Sequence, residues 1–158
     1  MRRAILALLM FVPGSALAGV SISEIMYDLP GSDSGREWVE VVNDGSAAVD
    51  ITGWKFFENN TNHGIATTSV TNTFTLPAGG YVVVADNAEK FLIDWPSFSG
   101  LLFDSAFSLS NTGESVSMRN ADLVDVGTAT YASDVGAAGD GNSLVWNGTS
   151  FTAHTPTP

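Results

Sequence analysis

The chain has no cysteine, and that absence removes much chemistry at once. Disulfides, thiol nucleophiles, cysteine-ligated zinc and iron–sulfur clusters are all excluded. Basic residues are scarce: 6 Lys and Arg stand against 17 Asp and Glu, for a formal charge of −11. Phosphate backbones are held by clustered Lys and Arg, so nucleic acid is disfavoured as a partner, and anionic membranes for the same reason. There are two histidines, His63 and His154, and neither has a neighbour at the H-E-x-x-H spacing of a zinc site. Both read as surface or loop residues, and a Ser-His-Asp triad finds no support. No internal repeat of about 20–50 residues is present, which argues against a propeller or a solenoid.

Long apolar runs are also missing, with one exception at the amino terminus. Arg2 and Arg3 precede the nine-residue run Ala4 to Val12 (AILALLMFV). Pro13-Gly14 then break any helix, and Ala16-Leu17-Ala18 is a small-x-small cleavage pattern. Spanning a bilayer takes about 20 residues, so this run is too short. The pattern predicts a signal peptide over 1–18, cut between Ala18 and Gly19, and a secreted product: extracellular, periplasmic or held at the cell surface. The mature chain has no transmembrane candidate. Its 140 residues keep every acidic side chain and lose Arg2 and Arg3, leaving 4 basic residues and a charge of −13. That length suits a single domain. Without disulfides the domain must rely on its core, which the chain's 44% apolar content and its sixteen aromatic residues, all but Phe11 in the mature part, can supply.

What is there is almost all β. Arg36 to Asn43 (REWVEVVN) alternates, with Glu37, Val39 and Val41 on one side and Trp38, Glu40 and Val42 on the other. Val20 to Tyr27 begins the same way, but Glu24 falls on its apolar face and Ile25 turns out of phase. A β-bulge that resets the register accounts for this, as does a covered edge that gives Glu24 a partner. Tyr81 to Ala85 (YVVVA) suits a strand buried on both faces. Asn59 to Thr73 reads as a long polar hairpin or loop with weak strand character. Ser143–Trp146 and Ser150–Ala153 predict a closing hairpin around Asn147-Gly148. The one helix candidate is Ala88 to Asp94, a short crossover with Asp86 as its cap, Glu89 at capping-box spacing, and Trp95-Pro96 as its end. About eight or nine short strands with frequent turn signals predict an all-β fold, an antiparallel β-sandwich over 19–154. Thr-Pro-Thr-Pro at 155–158 reads as a linker-like tail.

Four segments together carry a resemblance: ISEIMY, GREWVEVVN, VDITGWKF and LPAGGYVVVAD. With Leu109 to Val116 (LSNTGESV) and the Thr-Pro segment, they resemble the lamin-tail domain family, in particular its bacterial secreted members. The likeness covers roughly 20–156. It implies an immunoglobulin-like sandwich without the cystine bridge, and no established catalytic residues. Bacterial members are commonly exported and joined to nuclease, phosphatase or adhesion modules, where they are associated with attachment and protein interaction.

The candidate sites follow from residue type. Glu24, Glu37 and Glu40 are the special carboxylates; paired carboxylates serve glycosidases or Ca²⁺, but here they read first as structural, bound to backbone donors or to Arg36 and Arg119. No cleft motif points to catalysis, and the chain reads as no enzyme; Gly31 to Gly35 mimics a nucleophile elbow but has Asp33 at its centre. No cofactor is indicated, beyond a speculative Ca²⁺ site among the loop acids Asp28, Asp33, Asp44, Asp134 and Asp140. Trp54, Phe56, Tyr81 and Trp146 read as core. Trp38, beside acidic neighbours, reads as facing solvent, and with Trp95 and Phe98 it is the candidate contact patch. Asn59-Asn-Thr61 and Asn147-Gly-Thr149 match the glycosylation pattern. The expectation is a non-catalytic interaction module that binds a protein, a cell-surface component or a matrix polymer. The alternatives are a calcium- or carbohydrate-dependent adhesion module, or the targeting domain of a secreted hydrolase or nuclease.

Overall fold

A computed structural model describes residues 19–158; the expected signal peptide, 1–18, lies outside the described residues. In chain order the strands are β1 (Val20–Met26), β2 (Trp38–Asn43), β3 (Val49–Asp50), β4 (Lys55–Glu58), β5 (Thr61–Gly64), β6 (Ala66–Thr67), β7 (Thr75–Leu76), β8 (Tyr81–Ala85), β9 (Leu101–Asp104), β10 (Gly113–Arg119), β11 (Asp125–Ala132), β12 (Ser143–Trp146) and β13 (Phe151–His154). Helix α1 (Ala88–Asp94) lies between β8 and β9, and one 3-10 turn (Ser133–Val135) follows β11. The strand segments outnumber those read from sequence because the polar 59–73 stretch resolves into short pairings, and because residues 49–58 form two strands, β3 and β4, either side of Gly53, whose φ is +76°.

Two sheets form the sandwich. A seven-stranded sheet runs β13-β12-β1-β2-β8-β9-β6, and a four-stranded sheet runs β11-β10-β4-β5. A small β3-β7 pair stands apart from both. The all-β, immunoglobulin-like sandwich expected from the sequence is thus present. All pairings but one are antiparallel; β8 and β9 run parallel. A parallel pair needs a crossover rather than a hairpin, and α1 is that crossover.

Alternation along each strand sorts the apolar side chains to two sides of the larger sheet. Val39, Val41, Val82, Val84 and Phe103 face inward, against Phe56, Val116 and Met118 of the second sheet. Val83, Ala85, Leu102 and Trp38 face outward, against Phe91 of α1. β8 is therefore buried on both faces, as its unbroken apolar run requires. Where the sheets meet, β11 lies so close to β1 that a Cβ at Gly127 would stand 2.6 Å from the Val20 carbonyl oxygen. Glycine is required there by the approach of backbone to backbone.

The helix is capped one residue later than the sequence suggested. Asn87 is extended and its side chain accepts from the Lys90 N–H at 2.9 Å. Asp86 instead accepts from the Phe107 N–H at 3.1 Å, tying the helix start to the loop after β9. Lys90 therefore takes the position three residues beyond the cap, and Glu89 makes no capping box. Asn59 and Asn60 both have positive φ, +41° and +60°, and close the β4-β5 hairpin as a tight two-residue turn.

Candidate functional site

The outer face of the seven-stranded sheet has two ends of opposite character. One lies beneath α1. Trp38 packs there with no exposure, its ring edge-on to Phe91 at 6.0 Å and to Trp95 at 6.2 Å. The expectation that Trp38 faces solvent is thus corrected. Its alternation was read properly, but the far side of the sheet is covered by a helix that strand periodicity does not announce. Trp95 and Phe98 are half-buried at the margin of this cluster. Tyr81 and Trp146, expected in the core, are about half exposed, at 55% and 45%.

The other end is a groove of about 590 Å³. Ser23, Glu24 and Glu40 line it, with Tyr81, Val83 and Phe98. Its acidic floor comes from the register of β1. The register shifts between Ile22 and Glu24, so that Ile25 returns to the core and Glu24 turns to the outer face opposite Glu40. Of the two sequence explanations for Glu24, the bulge is the one present; the covered edge is not, because β1 is flanked by β2 and β12, although Glu24 is buried and partnered. Like charges directly opposite each other destabilise a sheet unless each finds its own donors. Here they do. The Ser23 hydroxyl donates to Glu40 Oε1 at 2.6 Å, and the Ser143 hydroxyl donates to Glu24 Oε1. Burial pushes the Glu40 carboxyl upward, against the pull of the Ser23 hydrogen bond, and Glu24 adds to the rise.

Glu24 has two further donors, both from Thr157. The Thr157 N–H donates to Oε1 at 3.0 Å, and its hydroxyl donates to Oε2 at 2.9 Å. The 155–158 segment is therefore docked on the sheet rather than linker-like. Its Thr157 and Pro158 also line the groove. A second hollow of about 350 Å³ lies alongside, lined by residues 94–98 and 156–158. The two hollows share Ser97, Phe98, Thr157 and Pro158, so the docked segment borders both.

Glu37 is separate from this pair. It points to the inner side and receives the Leu109 N–H on both carboxylate oxygens, at 3.1 Å each. Burial pushes its carboxyl up to about 8. The Leu109 hydrogen bond opposes the rise, and Asp33, Asp86 and Glu114 add to it. Of the two pairings read from sequence, a backbone donor or an arginine, Glu37 takes the backbone donor; among the described residues neither Glu37 nor Glu40 pairs with an arginine. Arg36 pairs with Asp94 at 2.8 Å and Arg119 with Asp125 at 2.7 Å. Arg119 also lies over the Phe57 ring. His63 is not a free loop residue; it sits in β5, 2.8 Å from Glu58.

The loop acids do not gather as a calcium site would need. Burial pushes the Asp28 carboxyl upward, and Asp33 and Asp140 add to the rise. Asp33 accepts from the Asn111 side chain and Asp140 from the Asn142 N–H. Asp44 lies by Gly19, and Asp134 sits in the 3-10 turn. Among the described residues, no group of three or more His, Asp or Glu side chains is placed to hold a metal ion.

A family model described as Lamin Tail Domain matches residues 13–153. The chain belongs to the lamin tail domain family. Comparison with curated proteins and with solved structures gives no match. In this lamin tail domain the motif residues Glu24 and Glu40 meet in one groove, while Glu37 of the same motif anchors the 107–110 loop from the other side. Sequence reasoning missed Ser23, Ser143 and Thr157 as partners and Tyr81 as a rim residue. One signal for them was present: a glutamate on the apolar face of β1 has to be met by donors, and these come from Ser143 and Thr157, while the adjacent Ser23 serves Glu40.

Proposed function

We propose that this lamin tail domain is an exported, non-catalytic interaction module that uses the groove on its outer sheet face to hold a segment of a protein or cell-surface component. The observation that carries this reading is the groove itself. It is open and floored by strands, with the exposed Tyr81 ring and the half-buried Phe98 ring along it, and a stretch of polypeptide already lies in it. Its two carboxylates are engaged by fixed hydroxyl and amide donors, which suits recognition. A general acid and base would have to turn toward a substrate and a water. Export is supported by the Arg2-Arg3, Ala4–Val12 and Ala16–Ala18 pattern.

The test is sedimentation with washed envelopes of the secreting cell, comparing the wild-type chain with the Tyr81→Ala/Phe98→Ala variant. Wild type is expected to sediment with the envelopes, and the variant to lose at least tenfold in affinity. Equal binding of the two chains, or none by either, removes the groove from the account. Glycoside hydrolysis abolished by Glu40→Gln would replace the reading with an enzymatic one.

A further inference from the structure

The 155–158 segment shows what the groove accepts. Pro156 and Pro158 have no backbone N–H, so Thr157 offers the only amide donor of that triplet. Flanking prolines hold the chain extended and keep it from turning helical, so the threonine amide and hydroxyl stay unused by the segment itself. Both donors go to one carboxylate, the amide to Oε1 and the hydroxyl to Oε2 of Glu24. Glu24 is 1% exposed in this arrangement, and among the described residues its one other hydrogen-bond partner is the Ser143 hydroxyl. No Lys, Arg or His lines the groove or the neighbouring hollow. A buried carboxylate with no cationic partner demands donors from whatever lies over it. An occupant rich in acceptors or in negative charge is refused by the same floor, where Glu24 and Glu40 stand opposite each other.

The walls add a second preference. Tyr81 and Phe98 line the groove, and Trp95 and Phe98 line the adjoining hollow beside Pro156 and Pro158. Aromatic-lined troughs of this kind take extended proline-rich segments, because the ligand is already ordered before it binds.

Resting on the interaction reading above, we propose that the groove is a receptor for extended threonine–proline segments of a partner protein, and that residues 155–158 are its resident occupant, which must leave before the partner enters. A short tether gives a resident segment an effective concentration in the millimolar range. It therefore holds off weak ligands and admits a partner that presents several Thr-Pro units in a row. Each unit repeats the same pair of donors, so the partner can shift along the groove and still satisfy Glu24.

The experiment is fluorescence polarisation of a dye-labelled peptide of four Thr-Pro repeats, titrated with the whole exported chain. Thr157→Pro removes both donors of the resident segment while leaving the sheet intact. The labelled peptide is expected to bind this variant at least tenfold more tightly than wild type. Adding Glu24→Gln to Thr157→Pro should return affinity at least tenfold toward the wild-type value. Should Glu24→Gln unfold, Tyr81→Ala in the same Thr157→Pro background is read instead, with the same sign. An Ala-Pro peptide, which lacks the hydroxyl, should bind at least threefold more weakly than the Thr-Pro peptide. Equal affinity of wild type and Thr157→Pro, or no binding by folded Thr157→Pro, overturns the proposal. Envelope attachment that still depends on Tyr81 and Phe98 would then show that the groove binds something of another chemistry. Concentration-dependent dimers of wild type that vanish in Thr157→Pro would overturn it as well, in favour of exchange of this segment between copies.

Discussion

The two faces of the seven-stranded sheet are built from the same strands and do opposite things. The inner face is closed by the second sheet and is largely apolar, from Val39 and Val82 to Phe103, which pack against Phe56. The outer face is closed only over part of its area, where α1 covers Trp38 and Leu102. Over the rest it carries Glu24 and Glu40 and takes a polypeptide segment as cover. Each face also holds one buried motif glutamate, and the comparison between them is instructive. Glu37 on the inner side is met by the backbone of a loop, and its cover is part of the fold. Glu24 on the outer side is met by Thr157, and its cover can be exchanged without opening the core. Glu24 lies in β1 and Glu37 just before β2, so two neighbouring strands of one sheet present their buried glutamates to opposite faces and to different kinds of cover.

Truncation of aromatic side chains should break the two faces unequally. Phe103→Ala, on the inner face, is expected to cost about 3–5 kcal/mol and to lower the denaturation midpoint of the whole domain. Phe91→Ala, under the helix, is expected to cost about 3 kcal/mol, with the α1 amides exchanging hydrogen well before those of β10. A uniform loss of protection across both elements in that variant would mean that the helix is not a separable cover.

The acids sharpen the comparison through pH. The Glu37 carboxyl is ordinary in the unfolded chain, near 4.5, and raised to about 8 in the fold. Between these values the folded protein holds a proton that the unfolded chain has released. Stability is therefore fully present below about 4.5, falls as pH rises, and levels off above about 8. Burial raises Glu40 and Asp86 as well, and they contribute in the same direction. Thermal melts from pH 5 to 9 should show this decline, and Glu37→Gln should flatten most of it. Thr157→Pro, which alters only the outer face, should leave the decline in place. A wild-type melting temperature that rises over this range contradicts the assignment. The smallest effect expected is that of Asn87→Ala, which removes the helix cap. It should cost about 1 kcal/mol, read by urea denaturation, with no change in the pH profile.

How much of this was legible follows from where each signal lives. The alternation of β2, the unbroken run of β8, the Asn147-Gly148 hairpin and the short crossover helix are local patterns, and the structure keeps them within a residue or two. The bulge at Glu24 was legible too, because a glutamate out of phase has few explanations. The burial of Trp38 was not, since it depends on α1 folding back over a face that sequence alternation marks as polar. Tyr81 begins a strand otherwise buried on both faces, but stands at its open end. The Thr-Pro segment reads as a spacer by composition, and its partner Glu24 lies 133 positions earlier in the chain. Nothing local ties the two together.

One feature of the larger sheet bears on how the chain becomes folded at all. β1, at the start of the described residues, has β12 as one of its two neighbours, and Ser143 reaches Glu24 across 119 positions of sequence. This strand thus stays half-paired until Ser143–Trp146 joins it. Pairings of such long range form slowly, because the intervening chain must first be brought into place. This wiring postpones completion of the larger sheet until β12, with β13 paired along it, has been brought against β1.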